Sequence, residues 1–201
     1  MTPQEAEVRK LARVLGVGAE RLEYLSDVPA ADLRELRERA TTVLFDAHLG
    51  ALERMAGASK LLPTPLLAKM AERVFGPLLA ARIAGLVEAS RGAEIAGRLT
   101  SAFLADVAAE LDPRRANGVI AKLPPPVVVA VARELARRRD WITVARFVDH
   151  LPDSLIVTSL EFIPDAALPE VAALLDEPAK LAKVRELLPA ERLAALPEQL
   201  R

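Results

Sequence analysis

The second half of the chain repeats a short apolar pattern, and each copy ends at a helix breaker. Four mostly apolar positions recur with the spacing i, i+3, i+4 and i+7, at intervals of about 12 residues. The last position of each copy is aliphatic: Leu111, Leu123, Leu135, Leu151, Ile163, Leu175 and Leu188. Proline or an acidic residue follows most of them, and both favour the first turn of a helix. The pattern therefore predicts a series of helices of about three turns, each with one apolar face.

Such short helices predict a stacked architecture. The interval lengthens only between Leu135 and Leu151, where ARRRD adds about one helical turn and keeps the same face inward. Ser159 and Arg185 are the polar exceptions on the repeated face. Because a helix of three turns is marginal alone, its neighbours have to cover its apolar face. We therefore expect residues 103–201 to form a superhelix of short helices.

The repeat resembles a known family of helical domains. With its Leu-Pro-Asp and Leu-Asp-Pro junctions, the segment 104–200 resembles the N-terminal superhelical domain of MgtE-type magnesium transporters, and more distantly the helical domains of FliG. The resemblance implies an interaction platform or a sensor. Transport is not implied, because the chain contains neither a transmembrane run nor the strand-rich CBS pair of those transporters.

In the transporter family, acidic residues of this domain take part in magnesium sensing. The loosely analogous positions here are Asp149, Asp153, Asp165, Glu170, Asp176 and Glu177. The resemblance is too loose to assign any of them as a magnesium ligand. A soluble magnesium-sensing module is one alternative function.

The first hundred residues are also helical in pattern but organised differently. No segment of the chain alternates with period 2, so we expect an all-α fold. Thr2 to Glu5 has the pattern of a capping box and predicts a helix near 3–15. A longer helix is predicted from about Ala31 to Met55. Its apolar stripe comprises Leu33, Leu36, Ala40, Val43, Leu44, Ala47, Ala51 and Met55.

Three segments follow from these patterns. They are an N-terminal helical segment at 1–58, an apolar middle segment at 59–102, and the repeats at 103–201, with all three able to pack as one domain. Helix breaks are predicted at Gly76-Pro77 and at Ser90-Arg91-Gly92.

Composition excludes several classes of function. The chain has no cysteine, which excludes disulfides, thiolate zinc sites and cysteine nucleophiles. A net charge of −1 gives no general attraction to nucleic acid, and no such partner is expected. No apolar run reaches the length of a membrane span, and the N-terminus lacks a signal-peptide pattern. We expect a cytoplasmic protein, with peripheral membrane contact as an alternative.

No catalytic, cofactor or metal constellation can be recognised. The two histidines, His48 and His150, are far apart in the sequence, and the simplest interpretation places His48 at a buried or boundary position. The serines lack a nucleophile elbow, and Gly16-Val17-Gly18 lacks the third glycine of a dinucleotide-binding turn. We therefore expect no enzymatic activity and no cofactor.

Two groups of residues are candidate binding sites. The first is a basic cluster that contains the only tryptophan and could contact a protein partner or a phosphate: Arg133, Arg137, Arg138, Arg139, Trp141 and Arg146. The alternative is an ordinary helix end with basic residues that complement its dipole.

The second group lies within residues 61–110 and covers more than one helix face. Its proposed pocket comprises Leu66, Leu67, Met70, Val74, Phe75, Leu78, Leu79, Ile83, Leu86 and Val87. These residues form either a central core or an aliphatic cavity that would suit a lipid or an isoprenoid.

The sequence thus favours a non-catalytic helical-repeat protein that acts as a protein-interaction or regulatory module. A carrier for a hydrophobic ligand is the first alternative, and the magnesium sensor is the second.

Overall fold

The computed structural model describes residues 1–46, 48–175 and 178–194. Every regular element within these ranges is a helix, which confirms the prediction of an all-α fold. Ala47, Asp176, Glu177 and residues 195–201 lie outside the described part, as do the side chains of Asp149, Pro178 and Ala194.

The N-terminal helix α1, Pro3–Leu15, begins at the predicted capping box. The Thr2 hydroxyl accepts a hydrogen bond from the Glu5 amide at 3.1 Å, and the Glu5 carboxylate accepts one from the Thr2 amide at 2.7 Å. Gly16 ends the helix with φ at +67°, a conformation that glycine adopts at little cost. A 3₁₀ helix at Ala19–Leu25 and helix α2, Ala30–Asp46, pack against α1.

The predicted helix from Ala31 to Met55 is wrong in two respects. The structure has two helices here, α2 ending at Asp46 and α3 spanning Leu49–Ser59, with His48 exposed between them. The predicted stripe is also largely exposed on α2, where Val43 is 67% accessible. Among the residues of α2, only Leu33 and Phe45 are buried, because the shorter α1 covers just part of its length.

Short helices fill the rest of the described chain. Their ranges are Thr64–Met70 (α4), Gly76–Ala84 (α5), Ala89–Ala96 (α6), Ser101–Glu110 (α7), Asn117–Ile120 (α8), Pro125–Arg138 (α9), Trp141–Phe147 (α10), Asp153–Leu160 (α11), Leu168–Ala173 (α12), Pro178–Leu187 (α13) and Ala190–Ala194 (α14). A π-helical turn at Ala71–Phe75 joins α4 to α5, and 3₁₀ turns occur at Val148–His150 and Asp165–Ala167.

One predicted break is present and one is wrong. Gly76, with φ at +72°, separates the π turn from α5 as expected. Ser90-Arg91-Gly92 instead lies inside α6, because the Glu88 side chain caps this helix by accepting hydrogen bonds from the Ser90 and Arg91 amides at 2.9 Å each. These bonds also lower the pKa of Glu88.

Glycine is needed at position 92 for close packing rather than for a break. A Cβ atom there would lie 2.7 Å from Cγ2 of Val119, which is closer than real contacts allow. The α6 backbone can therefore approach α8 only without a side chain at this position.

Many of the helices pack against their second neighbours along the chain. Contacts link α3 to α5, α5 to α7, α7 to α9, α9 to α11 and α11 to α13. The intervening helices also pair with each other, α4 with α6, α6 with α8, and α10 with α12. From α3 to α13, most helices thus pack against the one two positions further along the chain.

The N-terminal helices pack against the last third of the chain through ion pairs. Arg13 donates two hydrogen bonds to the Asp140 carboxylate at 2.7 and 2.6 Å, and Arg9 bonds Glu170 at 2.8 Å. The Arg13 guanidinium and the Thr143 hydroxyl hold the pKa of Asp140 below its ordinary value, against the effect of its burial. Helix α1 is therefore fixed at the N-terminus of α10.

Candidate functional site

An apolar cavity of about 410 Å³ lies among the helices from α3 to α13. Most of its lining residues fall into nine successive groups of four, here called quartets, with the spacing i, i+3, i+4 and i+7. One quartet has an extra residue before its last position. The quartets begin at Met55, Leu67, Ala80, Gly92, Leu104, Ala116, Val128, Val144 and Ile156. All four positions of the five sequence repeats that end at Leu111 to Ile163 contribute to the lining. The repeated apolar face is therefore the wall of the cavity.

Four of these quartets precede the segment in which the repeat was recognised. They lack the Leu-Pro-Asp junction, and the quartet from Leu67 ends at Phe75, one residue late. The π-helical turn at Ala71–Phe75 accommodates that extra residue and restores the phase for Ala80. A search by apolar spacing alone, with one insertion allowed, would have found the repeat from residue 55 onward.

Small residues on the repeated face explain why a cavity exists. Glycine or alanine occupies the first or third position of many quartets: Ala71, Ala80, Ala84, Gly92, Ala96, Ala108, Ala116 and Ala132. Protein interiors are otherwise close-packed, so short side chains facing one another leave volume between the helices. Phe75 and Phe147 are the aromatic residues among the described lining.

The cavity wall carries almost no polar side chains. No charged residue is among the described residues that line it, and its two hydroxyl groups belong to Ser59 and Ser159. The Ser59 hydroxyl donates a hydrogen bond to the Ala56 carbonyl at 2.6 Å. The Ser159 hydroxyl is buried without a hydrogen-bond partner. The chemistry of this wall suits hydrocarbon.

Replacing Ser159 with alanine is expected to raise the free energy of unfolding by about 1 kcal/mol. The change removes a hydroxyl that loses its hydration on folding and gains no bond in return. Urea denaturation measures the effect, and Ser59→Ala is the matched control, because that hydroxyl is bonded and its loss should not stabilise the fold. An equal gain in both variants would contradict the prediction.

The proposed pocket residues in the middle segment divide into two faces. Leu67, Met70, Phe75, Ile83 and Val87 line the cavity. Leu66, Val74 and Leu78 point to the exterior and are exposed. The remaining two, Leu79 and Leu86, are half-buried outside the lining.

The residues of the basic cluster contact different parts of the chain and do not form one joint site. Arg137 and Arg138 both bind Glu134 at 2.7 Å and lower the pKa of that carboxyl to about 2. Arg133 stacks on the Phe162 ring at 4.8 Å. Arg139 is exposed and ends α9 with φ at 55°, whereas Trp141 is buried at the start of α10.

Arg146 is one of three arginines whose guanidinium groups donate hydrogen bonds to backbone carbonyls at helix C-termini near the cavity. It donates hydrogen bonds to the Ala109 and Leu111 carbonyls at the end of α7, and burial lowers the pKa of its guanidinium. Arg91 bonds the Ser59 and Leu62 carbonyls after α3 in the same way. Arg192 bonds the Leu160 and Ile163 carbonyls after α11. These bonds satisfy carbonyls that a helix end leaves free, and sequence reasoning missed Arg91 and Arg192.

The histidines and acidic residues form no joint site. His48 is exposed, so its prediction as a buried or boundary residue is wrong, and His150 lies 3.4 Å from Asn117. Three of the acidic residues named by family resemblance are paired with bases: Asp153 with Lys183, Asp165 with Arg192, and Glu170 with Arg9. Within the described ranges, no group of three side chains is arranged to hold a metal ion.

None of the described helices is both long enough and apolar enough to cross a membrane.

Comparisons of the chain with protein-family models, with curated proteins and with solved structures found no match. The resemblance to the MgtE and FliG domains therefore stays a prediction.

Proposed function

We propose that the protein binds a hydrophobic small molecule, such as a lipid or an isoprenoid, in the cavity between its short helices. The observation that supports this most strongly is the wall of nine quartets, which is apolar except for the Ser59 and Ser159 hydroxyls and carries no charge among the described residues. A volume of about 410 Å³ also falls within the usual range for small-molecule pockets.

The energetics of the cavity support the same function. Hydrocarbon that fills this space would be removed from water against an apolar wall, and each buried methylene group contributes about 0.8 kcal/mol. A fitting ligand should therefore stabilise the folded chain strongly, by linkage.

The arrangement of helices is part of the proposal. We infer that alternating contacts between second neighbours wind residues 55–188 into a superhelix around the cavity, against which the N-terminal helices pack. In this architecture the ligand would lie between the helices, where protein interiors otherwise have packed apolar side chains.

The two other hypotheses have less support from the geometry. An interaction module built on the basic cluster would rely on arginines that largely satisfy acids, carbonyls or a ring within the chain. A magnesium sensor would rely on acidic residues of which three are paired with bases. Both stay predictions.

Native mass spectrometry of the freshly purified chain tests the proposal. We expect an adduct of lipid-like mass that organic extraction removes, and a complex that re-forms when oleate or farnesol is added. The re-formed complex should melt at a higher temperature, whereas millimolar magnesium should leave the melting temperature unchanged. A bare chain that binds neither probe and shows no thermal shift would refute a hydrophobic-ligand function.

A further inference from the structure

The outer face of residues 60–82 is an exposed apolar and basic surface. Leu61 is 86% accessible and Val74 is 71% accessible, and Leu66 and Leu78 are also exposed. Four of the twelve exposed large apolar side chains of the described chain thus lie within 18 residues. This concentration is higher than that of the singly scattered apolar residues of an ordinary exterior, and exposed apolar patches are typical of contact sites.

The same segment has a charge opposite to that of the whole chain. Lys60, Lys69 and Arg73 are exposed between the apolar residues, and Arg82 is half-buried. The acidic residue in this range is Glu72, so the segment carries a net charge of +3 in a chain of net charge −1. Lys60 and Lys69 form no ion pair with any described residue.

Glu72 is directed towards a neighbouring helix start. Its carboxylate accepts hydrogen bonds from the Thr100 amide and hydroxyl, both at 2.8 Å. These bonds lower the pKa of Glu72. Glu72 therefore keeps its negative charge, and the four bases of the segment outnumber it.

The inner face of this segment is part of the cavity wall. Leu67, Met70 and Phe75 alternate along the chain with the exposed residues and line the cavity. The segment α4–π turn–α5 is therefore a wall one helix thick between the cavity and the exterior. Its π turn and the positive φ of Gly76 mark an irregular backbone at this wall, of a kind frequent at functional sites.

We propose that residues 60–82 dock on a bilayer that contains anionic lipids. The exposed leucines and Val74 enter the boundary between headgroups and acyl chains, while Lys60, Lys69 and Arg73 contact the headgroup phosphates. Docking places the thin wall of the cavity against the lipid phase from which a hydrophobic ligand would be drawn. That last step rests on the proposed function, whereas docking itself is measured independently.

Vesicle flotation with the full chain tests the docking. We expect binding to vesicles of phosphatidylcholine mixed with phosphatidylglycerol, and much weaker binding to phosphatidylcholine alone. Each lysine near an anionic surface contributes roughly fivefold to partitioning, so Lys60→Gln with Lys69→Gln should weaken binding more than about tenfold. Leu61→Ser should weaken it roughly severalfold, because less apolar area is buried.

The matched control removes the same charge elsewhere. Arg21→Gln with Arg39→Gln changes two exposed bases of the N-terminal helices and should leave flotation unchanged. Equal loss in the control and the lysine variant, or no binding of the native chain to anionic vesicles, would overturn the proposal. Melting curves of all variants confirm that they remain folded.

A parallel oleate measurement without vesicles separates the two proposals. If the chain binds oleate but does not float with anionic vesicles, docking is refuted and the ligand function stands. If it floats in the predicted manner but binds neither oleate nor farnesol, docking stands and the ligand function fails.

Discussion

Replacing Glu7 with glutamine is expected to lower the free energy of unfolding by about 3–5 kcal/mol. Glu7 is 1% accessible and Lys10, its partner at 2.7 Å, is 4% accessible. Arg37 approaches the same carboxylate at 3.0 Å and Arg34 at 3.5 Å. The amide would remove the negative charge that these bases share at the buried Glu7 position, which is the costly way to break a buried ion pair. Chemical denaturation of the variant measures the loss.

An exposed ion pair serves as the control for this effect. Glu35→Gln removes a carboxylate that binds Arg39 at the surface of α2, and it should change stability by well under about 1 kcal/mol. Glu7→Met combined with Lys10→Met should recover part of the loss, because both members of the most buried pair are then apolar. A Glu7→Gln variant as stable as Glu35→Gln would show that water reaches the cluster.

The buried cluster illustrates what the sequence of α1 does not reveal. Glu7 and Lys10 are spaced as an ordinary surface pair on a helix, which contributes only tenths of a kcal/mol. Their burial depends on α2, which brings Arg34 and Arg37 across the same face. Such an arrangement depends on tertiary packing, whereas the capping box at Thr2 depends on neighbouring residues and was predicted correctly.

The break between α2 and α3 was missed for a related reason. Apolar residues from Leu33 to Met55 keep a helical period, but most of those on α2 have no helix to pack against and remain exposed. Periodicity identifies a helical face, and only the neighbouring elements decide whether this face is buried.

The candidate site shows the same division between pattern and packing. In the middle segment, apolar residues occur on all sides of the helices, so composition could not separate Leu67 and Met70 from Leu66 and Val74. The quartet spacing does separate the inward-facing residues from the outward-facing ones. The extra residue of the π turn, however, interrupts this spacing. The volume of the cavity arises where small residues of several helices face each other, and this depends on the packing of second neighbours along the chain.

Replacing Ala132 with phenylalanine is expected to weaken oleate binding by more than about tenfold while the chain remains folded. Ala132 lies on α9 and lines the cavity in the third position of its quartet. A phenyl ring that excludes about two methylene groups of a ligand removes roughly 1.6 kcal/mol of burial, which corresponds to a little more than tenfold in affinity. The free energy of unfolding without ligand should stay the same or rise by about 0.5–2 kcal/mol, since the ring fills part of the cavity.

Ala130 provides the matched control on the same helix. It is exposed on the opposite side of α9, so Ala130→Phe adds the same ring outside the cavity and should leave oleate affinity unchanged. Titration of both variants and comparison of their melting temperatures separate ligand exclusion from a general effect on folding. Unchanged affinity in Ala132→Phe would place the bound oleate elsewhere, whereas selective loss in this variant would locate it between the apolar faces that the sequence repeats.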